Sequence, residues 1–172
     1  HTVQAEDALV EMLKYSNGMG NYILAPDKAG KDKIKKEQLN PAQEAFNKKI
    51  AEYEALGMTG EGEVVIEDVR KQSKEFFDVT QKVAALTYEG KDKEAIDMRM
   101  NEALPRLTEA MNSLHKLVDI NKKDALEYYK ESDIVFANTL MTIIFAIIIG
   151  IIILALSSWY IVRNLTRRFD IL

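Results

Sequence analysis

Between Ile134 and Val162 the chain runs for 29 residues without an Asp, Glu, Lys, Arg or His. A bilayer core takes about 20 apolar residues at about 1.5 Å of rise each, so the run is long enough to span one. A soluble core helix would keep a polar face, but from Met141 to Leu156 this segment is apolar on all sides. It lies far from the N-terminus and is longer than a signal-peptide core. We expect a transmembrane helix at 134–162, which divides the chain into an N-terminal domain at 1–133 and a stub at 163–172. Arg163, Arg167 and Arg168 follow the run, whereas Lys130, Glu131 and Asp133 before it nearly cancel. The positive-inside rule then puts the C-terminus in the cytoplasm and the N-terminal domain outside it. Trp159 and Tyr160, one turn before the arginines, are expected with them as the anchor at the cytoplasmic membrane interface.

Charge divides in the same way. Three of the 23 basic and one of the 27 acidic residues follow the run, leaving a net −6 before it and +2 after it. An acidic external domain argues against a duplex nucleic-acid partner, which needs clustered positive charge. The absence of cysteine excludes disulfides and thiolate metal sites. Eight Gly and three Pro in 172 residues otherwise rich in Ala, Leu, Glu, Lys and Met point to an all-α fold.

Periodicity gives four helices before the membrane. Ala5, Leu9, Met12, Ser16, Met19 and Ile23 alternate spacings of four and three, and Pro26 and Asp27 end that helix. A second helix spans about 27–56, with Ile34, Phe46, Ile50, Tyr53 and Leu56 on its apolar side and a kink or fresh start at Asn40-Pro41. The glycine cluster at 57–62 makes a turn. Ile66, Val69, Ser73, Phe76, Thr80, Val83 and Thr87 mark the third helix, closed by Gly90 as C′ residue with Asp92 as the next N-cap. Met100, Ala103, Leu107, Ala110, Leu114, Leu117 and Asn121 mark the fourth, with a second stripe at Leu104, Met111, Val118 and Ala125. Only Pro105 interrupts the stretch between Asp92 and the membrane, so this helix is expected to continue into the span. Four amphipathic helices with short turns form an antiparallel up-down-up-down bundle, with the turns at 25–28 and 89–92 at its far end. The chain starts at His1 already inside a helical pattern and reads as part of something longer.

The stretch from Asn101 to Ala125, NEALPRLTEAMNSLHKLVDINKKDA, resembles the fourth helix of the four-helix-bundle sensor domains of bacterial methyl-accepting chemotaxis receptors. Glu89-Gly-Lys-Asp-Lys-Glu-Ala95 resembles the turn that enters it. Leu165-Thr-Arg-Arg-Phe-Asp-Ile-Leu172 is similar to the start of a HAMP linker, with Arg168 where that pattern usually has proline. The resemblance implies a homodimeric receptor in the bacterial inner membrane with a periplasmic or extracellular input domain. Its ligand state would pass through the membrane helix to cytoplasmic signalling proteins. The partners implied are membrane lipid and either a small-molecule ligand or a periplasmic binding protein. The same bundle serves sensor histidine kinases and cyclic-dinucleotide enzymes, and a membrane-anchored structural bundle is the alternative from another class.

Small ligands of such receptors bind in the far half of the bundle or across the dimer interface. Arg99 and Arg106, seven apart on one face of the fourth helix, are candidates to clamp a carboxylate or phosphate. The competing reading is a pair of solvated charges facing Glu102 and Glu109 at helical spacing. Asn17, Asn21, Tyr22 and Tyr88 are further candidates for such a pocket, against ordinary surface or seam positions. Asn121 at a seam position is a candidate for fixing register or dimer pairing. Asn138, Thr139 and Gly150 are candidates to assist helix pairing in the membrane. No catalytic constellation, metal site or cofactor motif is evident: His115 lies off the seam without a second histidine at metal spacing, and the glycines at 57, 60 and 62 lack a phosphate loop's Lys and Ser/Thr. An enzyme is therefore not expected.

Overall fold

The computed structural model describes residues 2–57 and 60–169, with the side chains of Val162 and residues 164–169 outside that description. All regular structure among the described residues is helical, in four rods. The first is α1, Thr2–Leu24. The second joins α2, Lys28–Ile34, to α3, Asn40–Ala55, through a π-helical turn at Lys35–Leu39. The third is α4, Glu61–Tyr88. The fourth joins α5, Asp92–Met98, to α6, Leu104–Phe169, through a second π turn at Arg99–Ala103. Residues up to Asp124 form one compact unit, the bundle, and residues from Ala125 belong to a second.

The rod ends have local causes. The Asp27 side chain accepts a 2.7 Å bond from the Gly30 amide and caps α2. At the end of α4 the Gly90 amide bonds to the Thr87 carbonyl and the Lys91 amide to the Leu86 carbonyl, the Schellman pair, with Gly90 at φ +79°. That closure brings the chain straight into the next helix, so Lys91 rather than Asp92 takes the N-cap position and Asp92 is already helical. A carboxylate in the first turn still complements the helix dipole. The two turns meet through Lys31, a buried lysine whose Nζ donates to the Thr87 carbonyl at 2.6 Å. We call this the two-turn end of the bundle. At the glycine-turn end, Arg70 makes a two-pronged ion pair with Glu54 (both 2.6 Å) and Lys49 pairs with Asp7 (3.0 Å).

Asn40-Pro41 produces no break. Proline has no amide hydrogen, and its ring collides with the carbonyl four residues back in a regular α-helix. For Pro41 that carbonyl belongs to Glu37 and for Pro105 to Asn101, and both lie inside the π turns, where partners are five residues apart. A shift of 64 residues carries 35 onto 99, 39 onto 103 and 41 onto 105. The shift also superposes buried positions: Ala5 on Val69, Met12 on Phe76, Met19 on Val83, Phe46 on Ala110, Ile50 on Leu114. The bundle is thus two quasi-equivalent helical hairpins.

The stripe anticipated on α4 is buried throughout, from Ile66 to Thr87. On α1 the anticipated Ala5, Met12, Ser16 and Met19 are buried and Leu9 and Ile23 only partly so, while Ala8, Tyr15, Gly18 and Tyr22 join the buried face, Tyr15 stacking edge-on against Phe77 at 4.9 Å. Leu56 and Met100 are exposed, contrary to the periodicity: Leu56 is the C-cap of α3, and Met100 sits in the π turn, which rotates the face following it. Asn121 accepts a 3.0 Å bond from the Tyr53 hydroxyl, tying the second rod to the fourth within one chain.

In the second unit, the helix that begins at Leu104 carries a window of mean hydropathy 3.0, none of it buried. A core helix of a soluble domain would be covered, so this is one helix long and apolar enough to cross a membrane. Its hydroxyls bond within the helix, Thr139 to the Val135 carbonyl, Thr142 to Asn138 and Ser157 to Ile153. No polar side chain of these three is left unmatched where water is scarce.

Candidate functional site

Two clefts open side by side between the second and third rods, and Gln43 and Gln81 line both. The one toward the two-turn end encloses about 550 Å³, within the range of small-molecule sites. Its floor is α1, through Tyr15 and Tyr22. One wall is Asp32, Lys35, Leu39 and Asn40, so the π turn forms part of the cleft. The other wall is Ala84, Ala85 and Tyr88. The neighbouring cleft, about 340 Å³, is floored by Phe46 and Phe77 and closed by the Arg70–Glu54 pair.

The polar groups around the larger cleft face solvent, Gln43 being half-buried. Asp32, Lys35, Asn40, Gln43 and Gln81 make no side-chain hydrogen bond or ion pair among the described residues. Tyr22 is 2% exposed, with the Asp32 carboxylate and Tyr88 near its phenol. Burial, reinforced by the Asp32 carboxylate and Tyr88, pushes the Tyr22 phenol up from its ordinary value, so it stays a donor at neutral pH. Burial raises Tyr15 likewise, against a 3.3 Å hydrogen bond from Thr80. At the rim, Lys28 Nζ sits 4.8 Å from the centroid of the Tyr88 ring, a cation–π contact.

Of the residues singled out in the sequence, Tyr22 and Tyr88 meet in this cleft. Asn17 and Asn21 line a separate groove between α1 and the second rod, where Asn21 donates to Gln38 at 3.0 Å. Arg99 and Arg106 line neither. Arg99 reaches back to α1 and donates to the Ser16 carbonyl at 3.4 Å. Arg106 binds Glu75 at 2.9 Å and Glu109 at 2.8 Å, an exposed pair of bridges between the fourth and third rods and within the fourth. The two guanidinium groups therefore engage different partners, and the structure does not bring them to one ligand. Asn121 is bonded within the chain, and His115 is exposed. No cluster of metal-ligating side chains occurs among the described residues. Near the end of the apolar helix the Arg163 guanidinium lies 5.1 Å from the Trp159 ring centroid, and Tyr160 is exposed beside it. His1, the side chains of Arg167 and Arg168, and residues 170–172 of the HAMP-like stretch lie outside the described residues.

Sequence reasoning missed Asp32, Lys35, Asn40, Gln43 and Gln81, which look like ordinary surface residues of a charged helix. The signal that finds them is the 64-residue comparison: Asp32, Asn40 and Gln43 stand where the second hairpin has Ile96, Leu104 and Leu107.

Residues 2–136 match the family model of the four helix bundle sensory module for signal transduction. No curated protein matches the chain.

Proposed function

Because the chain belongs to the family of four-helix-bundle sensory modules for signal transduction, we propose that it is the ligand-sensing input domain of a transmembrane bacterial chemoreceptor. The observation that carries this reading is α6, a single helix of 66 residues that begins in the bundle and includes the apolar span. A ligand that binds two positions of such a helix with unequal affinity shifts the population between them, and the hydrogen-bonded backbone carries the slide or rotation onward. A ligand with equal affinity for both would move nothing. On this reading the domain works by binding, not catalysis.

The arginines at 163, 167 and 168 support an orientation with the C-terminal side in the cytoplasm and the bundle in the periplasm or outside the cell. A homodimer is supported by exposed apolar side chains on the first and fourth rods, Val10, Leu13, Leu24, Ile96 and Met100. They flank the seam that Arg99 crosses, and a second copy would cover them.

The experiment is a fusion of the 172-residue chain to a cytoplasmic module that controls a histidine kinase. A mixture of small metabolites applied from the bundle side should change kinase activity. Inserting Gly-Pro-Gly between Asp124 and Ala125 should abolish that response while leaving ligand binding intact. A response that passes undiminished through the broken helix would refute the transmission mechanism.

A further inference from the structure

The face that α1 turns away from the core carries a second, stricter repeat. Val3, Glu6, Val10, Leu13, Asn17, Gly20 and Leu24 alternate spacings of three and four. Strict alternation repeats every seven residues, the period of a seam against another helix. Four of the seven are apolar and none of the four is covered, from Leu13 at 37% to Leu24 at 81% exposed. The other hairpin shows that the bundle itself does not need them. At the same places α4 carries Glu67, Lys74 and Gln81, and Phe77, standing for Leu13, is turned into the core.

Three members of the stripe are not apolar, and two of them are accounted for within the chain. Glu6 pairs with Lys122 at 3.2 Å. Gly20 lies under the Arg99 guanidinium, where an added Cβ would meet Nη2 at 3.3 Å. Asn17 is exposed and makes no side-chain hydrogen bond among the described residues, whereas Asn21 in the neighbouring groove is bonded to Gln38. An amide covered by apolar side chains costs free energy unless it is matched. A carboxamide both donates and accepts, so a second carboxamide at the same height matches it. A parallel, unshifted copy of this chain supplies one. A copy shifted by a heptad sets Asn17 against Val10 or Leu24, and an antiparallel copy sets it against Val10 or Leu13. Both arrangements leave amides unmatched.

We propose that Asn17 is the residue by which the bundle selects its dimer partner. Asn17 of one protomer and Asn17 of the partner subunit form a hydrogen-bonded amide pair inside the apolar stripe. The pair binds less tightly than an all-apolar stripe would, and it excludes chains with an apolar residue at that place, as a lone asparagine does in a coiled-coil seam. Asn121, the other asparagine at a heptad position, is bonded to Tyr53 inside the chain and is taken up there. The proposal rests on the homodimer reading and adds to it the residue that decides which chains pair.

The test uses the full chain, reconstituted from detergent into lipid vesicles and oxidised. Leu13→Cys is the reporter in every chain, and a chain tagged to run larger on a gel is mixed in equal amounts with an untagged one. With Asn17 in one chain and Asn17→Leu in the other, each mixed pair leaves an amide unmatched. Mixed pairs should then be at least about threefold rarer than the half expected from random pairing. With Asn17 in both chains, or Asn17→Leu in both, pairing should be random. Lys14→Leu, on the groove side of the same helix, should also pair at random with the parent, because apolarity off the stripe sorts nothing. Asn17 and Lys14 are exposed, so helical circular dichroism should be the same for all. Random pairing of Asn17 with Asn17→Leu chains would overturn the role of Asn17 and leave the dimer. Sorting by Lys14→Leu as sharp as by Asn17→Leu would overturn it too. Absence of any cross-link between Leu13→Cys chains would overturn the homodimer reading and the proposal with it.

Discussion

Asp68 on the third rod accepts hydrogen bonds from Ser113 of the fourth rod at one carboxylate oxygen and from Gln72 at the other, the latter 3.3 Å long. The Ser113 bond is the main cause that holds the Asp68 carboxyl below its ordinary value, with Gln72, Lys116 and Lys71 adding to it against partial burial. A depressed carboxyl stabilises the fold above its unfolded pKa, and that contribution is lost as pH falls through the folded pKa. Ser113→Ala should therefore lower stability by about 1–2 kcal/mol at neutral pH. The difference from the parent should shrink in acid, as pH falls far enough to protonate the lowered Asp68 carboxyl. Chemical denaturation at neutral and at acid pH checks this, and an equal deficit at both would show that Ser113 acts by packing alone. The pair was invisible in the sequence, because 45 residues separate partners that only the bundle brings together.

At the scale of elements, α1 holds two glycines with the same helical propensity and different neighbours. A Cβ on Gly18 would come 3.0 Å from a Leu39 methyl and 3.3 Å from the Gln38 Cβ, both on the π turn. On Gly20 the nearest atom is the movable end of Arg99. Glycine to alanine in a helix gains up to about 1 kcal/mol when space allows. Gly20→Ala should accordingly be neutral or stabilising, whereas Gly18→Ala should destabilise by about 1 kcal/mol or more as the buried Leu39 is displaced. Thermal melts of the two variants decide it, and equal shifts would show that the approach at Gly18 is not tight. Helix number and the α4 stripe were legible, since heptad spacing reports a buried face directly. The π turns were not: Pro41 announces a disturbance, but whether a rod breaks, kinks or widens depends on what packs against both its halves.

For the whole molecule, the uncharged run was readable from charge and the amphipathic bundle before it from periodicity. The cleft was not, because its polar residues become conspicuous only once the second hairpin shows what else could stand there. The two hairpins treat their outer faces differently, one seam lined by solvent-facing polar heads and the other flanked by exposed apolar side chains. The absence of cysteine makes the dimer proposal simple to check. A single Leu13→Cys should cross-link to its copy on oxidation in membranes, while Lys82→Cys, exposed on the third rod, should not. Equal cross-linking of both would mean random collision, and the dimer face would be wrong.

The π turns bear on how the chain can change length. A regular helix turns about 100° per residue, so losing one residue anywhere in it swings all later side chains off the core. A π turn already spaces its partners one residue wider than an α turn. Removing one residue at 35–39, with Pro41 replaced so that a regular turn closes, returns the rod to α-helix and leaves both halves facing inward. These two places are where the rods tolerate a deletion, and a shortened relative is expected to have lost its residue there.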